Sequence, residues 1–279
     1  MKPVFKSYTT MKKISLLLIV SMFLFVACEQ DYELVTMKYP LAGNYSKLVV
    51  GGAFDVTVCD TVTSVVVTSE MQKYVVVRLE EGVLKIKYRP NLSLRNRSAK
   101  VLLPFNESLC DVELSGASSF VGDLKGDEVE LELSGSSDFK GTLQARKIDI
   151  DLSGSSDFEG TLLGSQIDFD LSGSSDVMGT VEADNMAVEA SGSSCITLTG
   201  SCLERLEIEF AGSTDFISPE LECKEVTGTM TGSSDAEFSV CSLLSIKLSG
   251  SSDIIYGVPA GCSPTVNCST SGSSSVRTR

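Results

Sequence analysis

The chain has 279 residues, a formal charge of −14, nine cysteines, and neither histidine nor tryptophan. Without histidine no Ser-His-Asp or Cys-His nucleophile can be assembled, and the commonest zinc ligand is missing. The acidic balance repels phosphate backbones and argues against a nucleic-acid partner.

Residues 1–27 read as a lipoprotein signal peptide. Lys12 and Lys13 precede Ile14 to Ala27, an uncharged run too short to span a membrane at about 20 residues, and Met11 is the expected initiator. The run ends Phe25-Val26-Ala27-Cys28, which resembles a lipobox with Cys28 as the lipidated residue, although Phe25 stands where leucine is usual. Removal of this segment leaves 19 basic and 37 acidic residues, a formal charge of −18. Attachment to membrane is then expected through acyl chains, each buried methylene contributing about 0.8 kcal/mol. Residues 28–43 are expected to be a tether. Acids close behind the anchor, in Cys28-Glu29-Gln30-Asp31, loosely resemble a surface-export signal. The expected location is the outer membrane, with the protein at the cell surface or on the periplasmic face.

Residues 44–114 carry short β-branched runs that predict six strands: Leu48–Val50, Phe54–Val58, Val65–Val67, Tyr74–Val77, Val83–Lys87 and Lys100–Leu103. Asn91 to Ser98 is polar and basic and reads as an exposed loop. Arg89, Arg95, Arg97 and Lys100 are expected to be its solvated charges and not an anion site.

From 115 to 279 the chain is a repeat. Glycines of Ser-Gly-Ser-Ser-Asp turns fall at 116, 135, 154, 173, 192, 212, 232, 250 and 272. Such a period belongs to solenoids, whose units bury their apolar faces against one another. Val129, Leu131, Leu133, Gly135, Ser137, Phe139, Gly141 and Leu143 alternate with Glu130, Glu132, Ser134, Ser136, Asp138, Lys140 and Thr142. That is the period of strands with one buried face, with the Gly/Ser positions at a corner. The predicted fold is all-β: a single-stranded β-solenoid, or β-helix, of about 20 residues per coil. Residues 44–114 form a less regular N-terminal β cap continuous with it. Stacked coils pair every strand and leave edges only at the two ends, which a meander of hairpins would not.

Phe54-Asp55-Val56-Thr57-Val58, Val65-Val66-Val67, Gly82-Val83-Leu84-Lys85-Ile86 and the repeats beginning Leu114-Ser115-Gly116-Ala117-Ser118 resemble the bacterial head GIN-domain family of autotransporter adhesins. The resemblance covers Leu48 to Val276. It implies a β-helical fold and an exported lipoprotein, and it brings no catalytic residues.

In register, Asp138, Asp157, Asp176, Cys195, Asp215, Asp235 and Asp253 would form one outward ladder, with Ser119 and Ser275 at its ends. Ser134, Ser153 and Ser172, and Ser136, Ser155 and Ser174, would run beside it. Carboxylates about 5 Å apart repel by roughly 0.8 kcal/mol per pair in water. Three offsets are open: hydrogen bonds within each turn, bridging Ca²⁺, or contact with glycan hydroxyls. Calcium is the one cofactor to weigh, and one carboxylate per coil is thin for it.

Cys202, Cys223, Cys241 and Cys262 recur with the repeat and are expected to stack at a second corner. The preferred pairs are Cys202–Cys223 and Cys241–Cys262, with Cys223–Cys241 or packed thiols as alternatives. Cys110 and Cys268 read as core. The cysteine spacings do not make a zinc site. The expected function is a non-catalytic, lipid-anchored envelope scaffold or adhesin presenting its Ser/Asp face to a glycan or envelope protein. The alternatives are a glycan- or lipid-binding envelope module and a polysaccharide-active β-helix enzyme, the latter lacking a carboxylate pair distinct from its neighbours.

Overall fold

A computed structural model describes residues 33–90 and 98–279; the signal segment, Cys28 and residues 91–97 of the expected loop lie outside the described residues. Leu34–Arg279 forms one compact unit. It opens with β1 (Val35–Tyr39), β2 (Lys47–Gly52), β3 (Phe54–Cys59) and β4 (Val65–Ser69). A 3-10 turn at Gln72–Tyr74 leads to β5 (Val75–Glu80), β6 (Val83–Tyr88) and β7 (Ala99–Pro104). Then come β8 (Asp111–Gly116), β9 (Ser119–Val121), β10 (Leu124–Lys125) and β11 (Glu128–Leu133). Six long strands follow: β12 (Asp138–Leu152), β13 (Asp157–Leu171), β14 (Asp176–Gly192), β15 (Cys195–Gly212), β16 (Asp215–Gly232) and β17 (Asp235–Leu248). The last are β18 (Asp253–Gly257), β19 (Thr265–Val266), β20 (Ser269–Thr270) and β21 (Ser275–Thr278).

The fold is a β-solenoid. β12 pairs in parallel with β13 from Asp138↔Asp157 to Leu152↔Leu171, skipping only the bend at Arg146 and Ser165. Each long strand therefore wraps most of a coil and bends while its ladder continues. The second corner of the coil is the turn at Gly135 and its equivalents, where the alternation of burial breaks. Ser134 is half-buried, Gly135 and Ser136 face solvent, and Ser137 turns fully inward. Gly154, for example, has φ +82°, a conformation that costs an L side chain about 1–2 kcal/mol. Each corner is stitched to the next coil, as in Ser155 N–H to Gly135 O at 2.8 Å and Ser174 N–H to Gly154 O at 2.8 Å.

Inward residues stack like on like. Phe120, Phe139 and Phe158 lie at ring-centroid distances of 5.4 and 5.5 Å, nearly parallel. The column continues through Val177, Ile196, Phe216, Ala236 and Ile254, all buried. Several buried corner serines find an acceptor three residues back: Ser137 Oγ donates to Ser134 O at 2.9 Å and Ser156 Oγ to Ser153 O at 2.9 Å, whereas Ser194 Oγ is buried without a partner among the described residues. Ser156→Ala is expected to lower stability by about 1 kcal/mol, the net value of one such bond, as a shift in urea midpoint with unchanged slope.

The six predicted N-terminal strands correspond to β2 through β7, with Tyr74 in the 3-10 turn. Their stacking is not in chain order. β2 lies between β6 and β8, and β3 between β7 and β9, all parallel. β5 then lines β6, β4 lines β7 and β1 lines β4, all antiparallel. Antiparallel partners thus cover the strands that would otherwise end the sheets. The tether expected over 28–43 is corrected by β1, whose Val35–Tyr39 pairs with Val65–Ser69. That strand is exposed along nearly its whole length, so it carries no buried-face periodicity by which to read it. The final strands are only two, two and four residues long, a common blunting of sheet edges.

Candidate functional site

Two outward faces follow from the register. On the first, Ser119, Asp138, Asp157, Asp176 and Cys195 are successive partners, and Asp215, Asp235, Asp253 and Ser275 continue the row. The expected ladder is assembled, and its carboxylates from Asp138 to Asp235 are exposed. At the C-terminal end the hydrogen bonds run between coils and not within a turn. Asp253 N–H donates to Asp235 Oδ1 at 3.3 Å, and Ser275 donates its N–H and Oγ–H to Asp253 Oδ1 at 2.9 and 2.7 Å. At the other end Ser119 Oγ donates to Asp55 Oδ1 at 3.2 Å.

Partial burial and, after it, the next carboxylate push Asp138 and Asp157 above the usual aspartate range; Asp176 N–H partly offsets this for Asp157. An acid raised on folding destabilises the folded state when ionised, so the penalty is present at neutral pH. It lifts as pH falls through the raised values and is gone below the ordinary 3.8. These two sites should therefore make the protein more stable as pH is lowered through their raised values towards 3.8. Asp138→Asn/Asp157→Asn is expected to flatten that rise in melting temperature; an unchanged slope would reject the assignment.

The second face is more acidic and was not singled out by the repeat motif. Asp111, Glu130, Asp149 and Asp168 form one row. Glu113, Glu132, Asp151, Asp170, Glu189 and Glu209 form the next. Lys47 bridges Asp111 and Glu113 at 3.2 and 3.7 Å, and Lys147 bridges Asp149 and Glu128 at 2.6 and 3.6 Å. Among the described residues Asp151, Asp170, Glu189 and Glu209 have no ion pair. Burial, then Asp170 and Asp149, raises Asp151. The signal was present as outward acids repeating every 19 residues beside the motif. Neither face gathers its acids into a cage: among the described residues no group of three or more Cys, Asp or Glu is placed to hold a metal ion.

At a third place, Phe105, Leu109, Leu124, Asp123, Lys125 and Gln144 line a surface groove of about 700 Å³. Leu109 and Leu124 are buried there and Phe105 is exposed.

The four-cysteine stack is corrected. Cys202 and Cys223 are partners and point inward, but Cys223 pairs with Val240, so Cys241 falls on the other side of its strand. The cause is a register shift between β16 and β17, where Ile217↔Glu237 is followed by Glu222↔Ser239. A one-residue slip exchanges the two faces of a strand. Cys241 and Cys262 form a disulfide with Cα atoms 4.8 Å apart. Cys202 and Cys223 are buried thiols; Cys110 and Cys268 are half-buried against the core, and Cys195 is exposed.

A regular parallel coil with repeated corners defines a β-solenoid presenting flat, repetitive faces. The family described as "Putative auto-transporter adhesin, head GIN domain" matches residues 44–166 and 157–259, and the chain belongs to it. Two crystal structures share the fold at 19% identity. The "putative adhesin" of Parabacteroides distasonis aligns with TM-score 0.62, over 89% of this chain and 98% of its own. That of Parabacteroides merdae aligns with TM-score 0.58, over 89% and 97%. A "putative lipid binding protein" of P. distasonis aligns with TM-score 0.60 at 18% identity, over 88% and 96%. No curated protein sequence matches.

Proposed function

We propose that the chain is an exported, lipid-anchored envelope protein that acts without catalysis, as an adhesin or scaffold, through its repetitive faces. The carrying observation is the uniform register. From Asp138 to Asp253 the turn offers an outward aspartate in every coil except at Cys195, and no carboxylate pair of that row is set apart for acid–base work. Such a surface suits many weak equivalent contacts, whose avidity grows with the number engaged. The family description supports adhesion, and the signal segment with Cys28 supports anchoring. Glycan hydroxyls fit the Ser/Asp row as partners, with Asp138, Asp157 and Asp176 as the acceptors. Protease treatment of intact cells tests the surface reading. Digestion of the solenoid supports adhesion; protection in intact cells with digestion in lysate favours a periplasmic scaffold. Cys28→Ala should abolish fatty-acid labelling and release the protein from the membrane fraction.

A lipid- or glycan-binding envelope module is the second reading. The groove beside Phe105, Leu109 and Leu124 favours the lipid form, and one saturable ligand would separate it from a scaffold.

A further inference from the structure

Cys202 on β15 and Cys223 on β16 are direct partners across adjacent parallel coils. Both side chains lie inside the solenoid, at 1% and 2% exposure. Cys202 Sγ donates to Arg205 O at 3.0 Å. Partners on neighbouring strands stand about 4.8 Å apart, within the 4.4–6.8 Å over which cysteines can be bridged. Cys241 and Cys262, one coil further on, are bridged at a Cα separation of 4.8 Å. Cys202 and Cys223 differ from that pair in being ladder partners, and in this structure they stand as two thiols.

We infer that Cys202 and Cys223 close into an interior disulfide in the exported protein, before β15 and β16 dock. The inference rests on the export proposed above, which supplies an oxidising compartment. The oxidant is the disulfide of a thiol–disulfide oxidoreductase. The Cys202 thiolate attacks one of its sulfurs, forming a mixed disulfide and releasing the other sulfur as a thiolate. Cys223, deprotonated, then attacks the Cys202 sulfur and expels the second oxidoreductase sulfur. Two protein thiols lose two electrons to form one S–S bond. The oxidant's disulfide becomes two thiols, which take up the two protons. Either cysteine can attack first, since both thiols are accessible before the coils dock. Once the coils have docked, the pair is sealed from solvent. The half-buried Cys241–Cys262 bridge keeps contact with it.

The test takes the full chain from exporting cells, alkylates it under denaturing, non-reducing conditions, and maps peptides by mass spectrometry. The expected result is two linked pairs, Cys202–Cys223 and Cys241–Cys262, with Cys59, Cys110, Cys195 and Cys268 alkylated. Alkylated Cys202 and Cys223 beside an intact Cys241–Cys262 bridge would overturn the inference and leave export standing. Alkylation of all four would overturn it too, and would place the fault in the export reading. A second measurement reads the seal. Reductant without denaturant should open Cys241–Cys262 at least tenfold faster than Cys202–Cys223, and equal rates would refute an interior bridge.

Discussion

Gly160→Ala is expected to destabilise the solenoid by about 3 kcal/mol or more, the range reached when a new atom is forced against backbone in a packed interior. A Cβ on Gly160 would overlap the carbonyl oxygen of Gly141 in the preceding coil. Gly141 stands in the same relation to Gly122, and Gly179 to Gly160. The requirement is close approach of coil to coil, since no left-handed backbone is involved at Gly160. The contrast is Gly82, at φ +79° with open space where its Cβ would stand. There alanine meets only the conformational cost, about 1–2 kcal/mol. Denaturant titration of both variants checks the ordering; a Gly160→Ala loss no greater than that of Gly82→Ala would mean that the coils separate easily.

Phe139→Ala is expected to cost about 3–5 kcal/mol, because it deletes the middle ring of a buried stack and leaves a cavity that rigid coils cannot collapse. The rings of Phe120 and Phe158 lie 5.4 and 5.5 Å away and are held by their own ladders. Phe139→Leu keeps most of the volume and should lose about 1.5 kcal/mol or less. Because each coil contacts only its neighbours, the damage should be local. Hydrogen exchange should quicken most in β9, β12 and β13, with β16 and β17 nearly unchanged.

The regular coils were legible because period and register are one property. Residues 19 apart in sequence become partners in space, so writing the repeats beneath one another already places Asp138 under Asp157 and Phe139 under Phe158. What escaped was whatever departs from that period. β1 is exposed on both faces, and the antiparallel cap depends on contacts between strands of unlike sequence. The cysteine row broke because β17 is shorter than β16, which moved Cys241 to the opposite face. The second acidic face was written in the repeat, at Glu130, Asp149 and Asp168, but a conspicuous Ser/Asp motif drew the reading to the corner beside it.

The interleaved cap has a consequence for how the chain can be assembled. A simple solenoid can add coils in the order in which they leave a ribosome or a translocation pore. Here the first coil, β2 and β3, stays unsandwiched until β8 and β9 arrive, joined to it by contacts such as Ser115 Oγ to Val50 O and Ser119 Oγ to Asp55 Oδ1, 65 and 64 residues apart. The regular coils afterwards close over much shorter loops, 19 residues from Lys140 to Glu159 and 20 from Arg205 to Glu225. Closing the longer span costs more loop entropy, so it is expected to be the slower step. The expected order is therefore completion of the cap near residue 121, followed by templated growth towards the C-terminus. Truncations that keep the chain through β13 should still fold, whereas those that remove β2 should leave the repeats without a start.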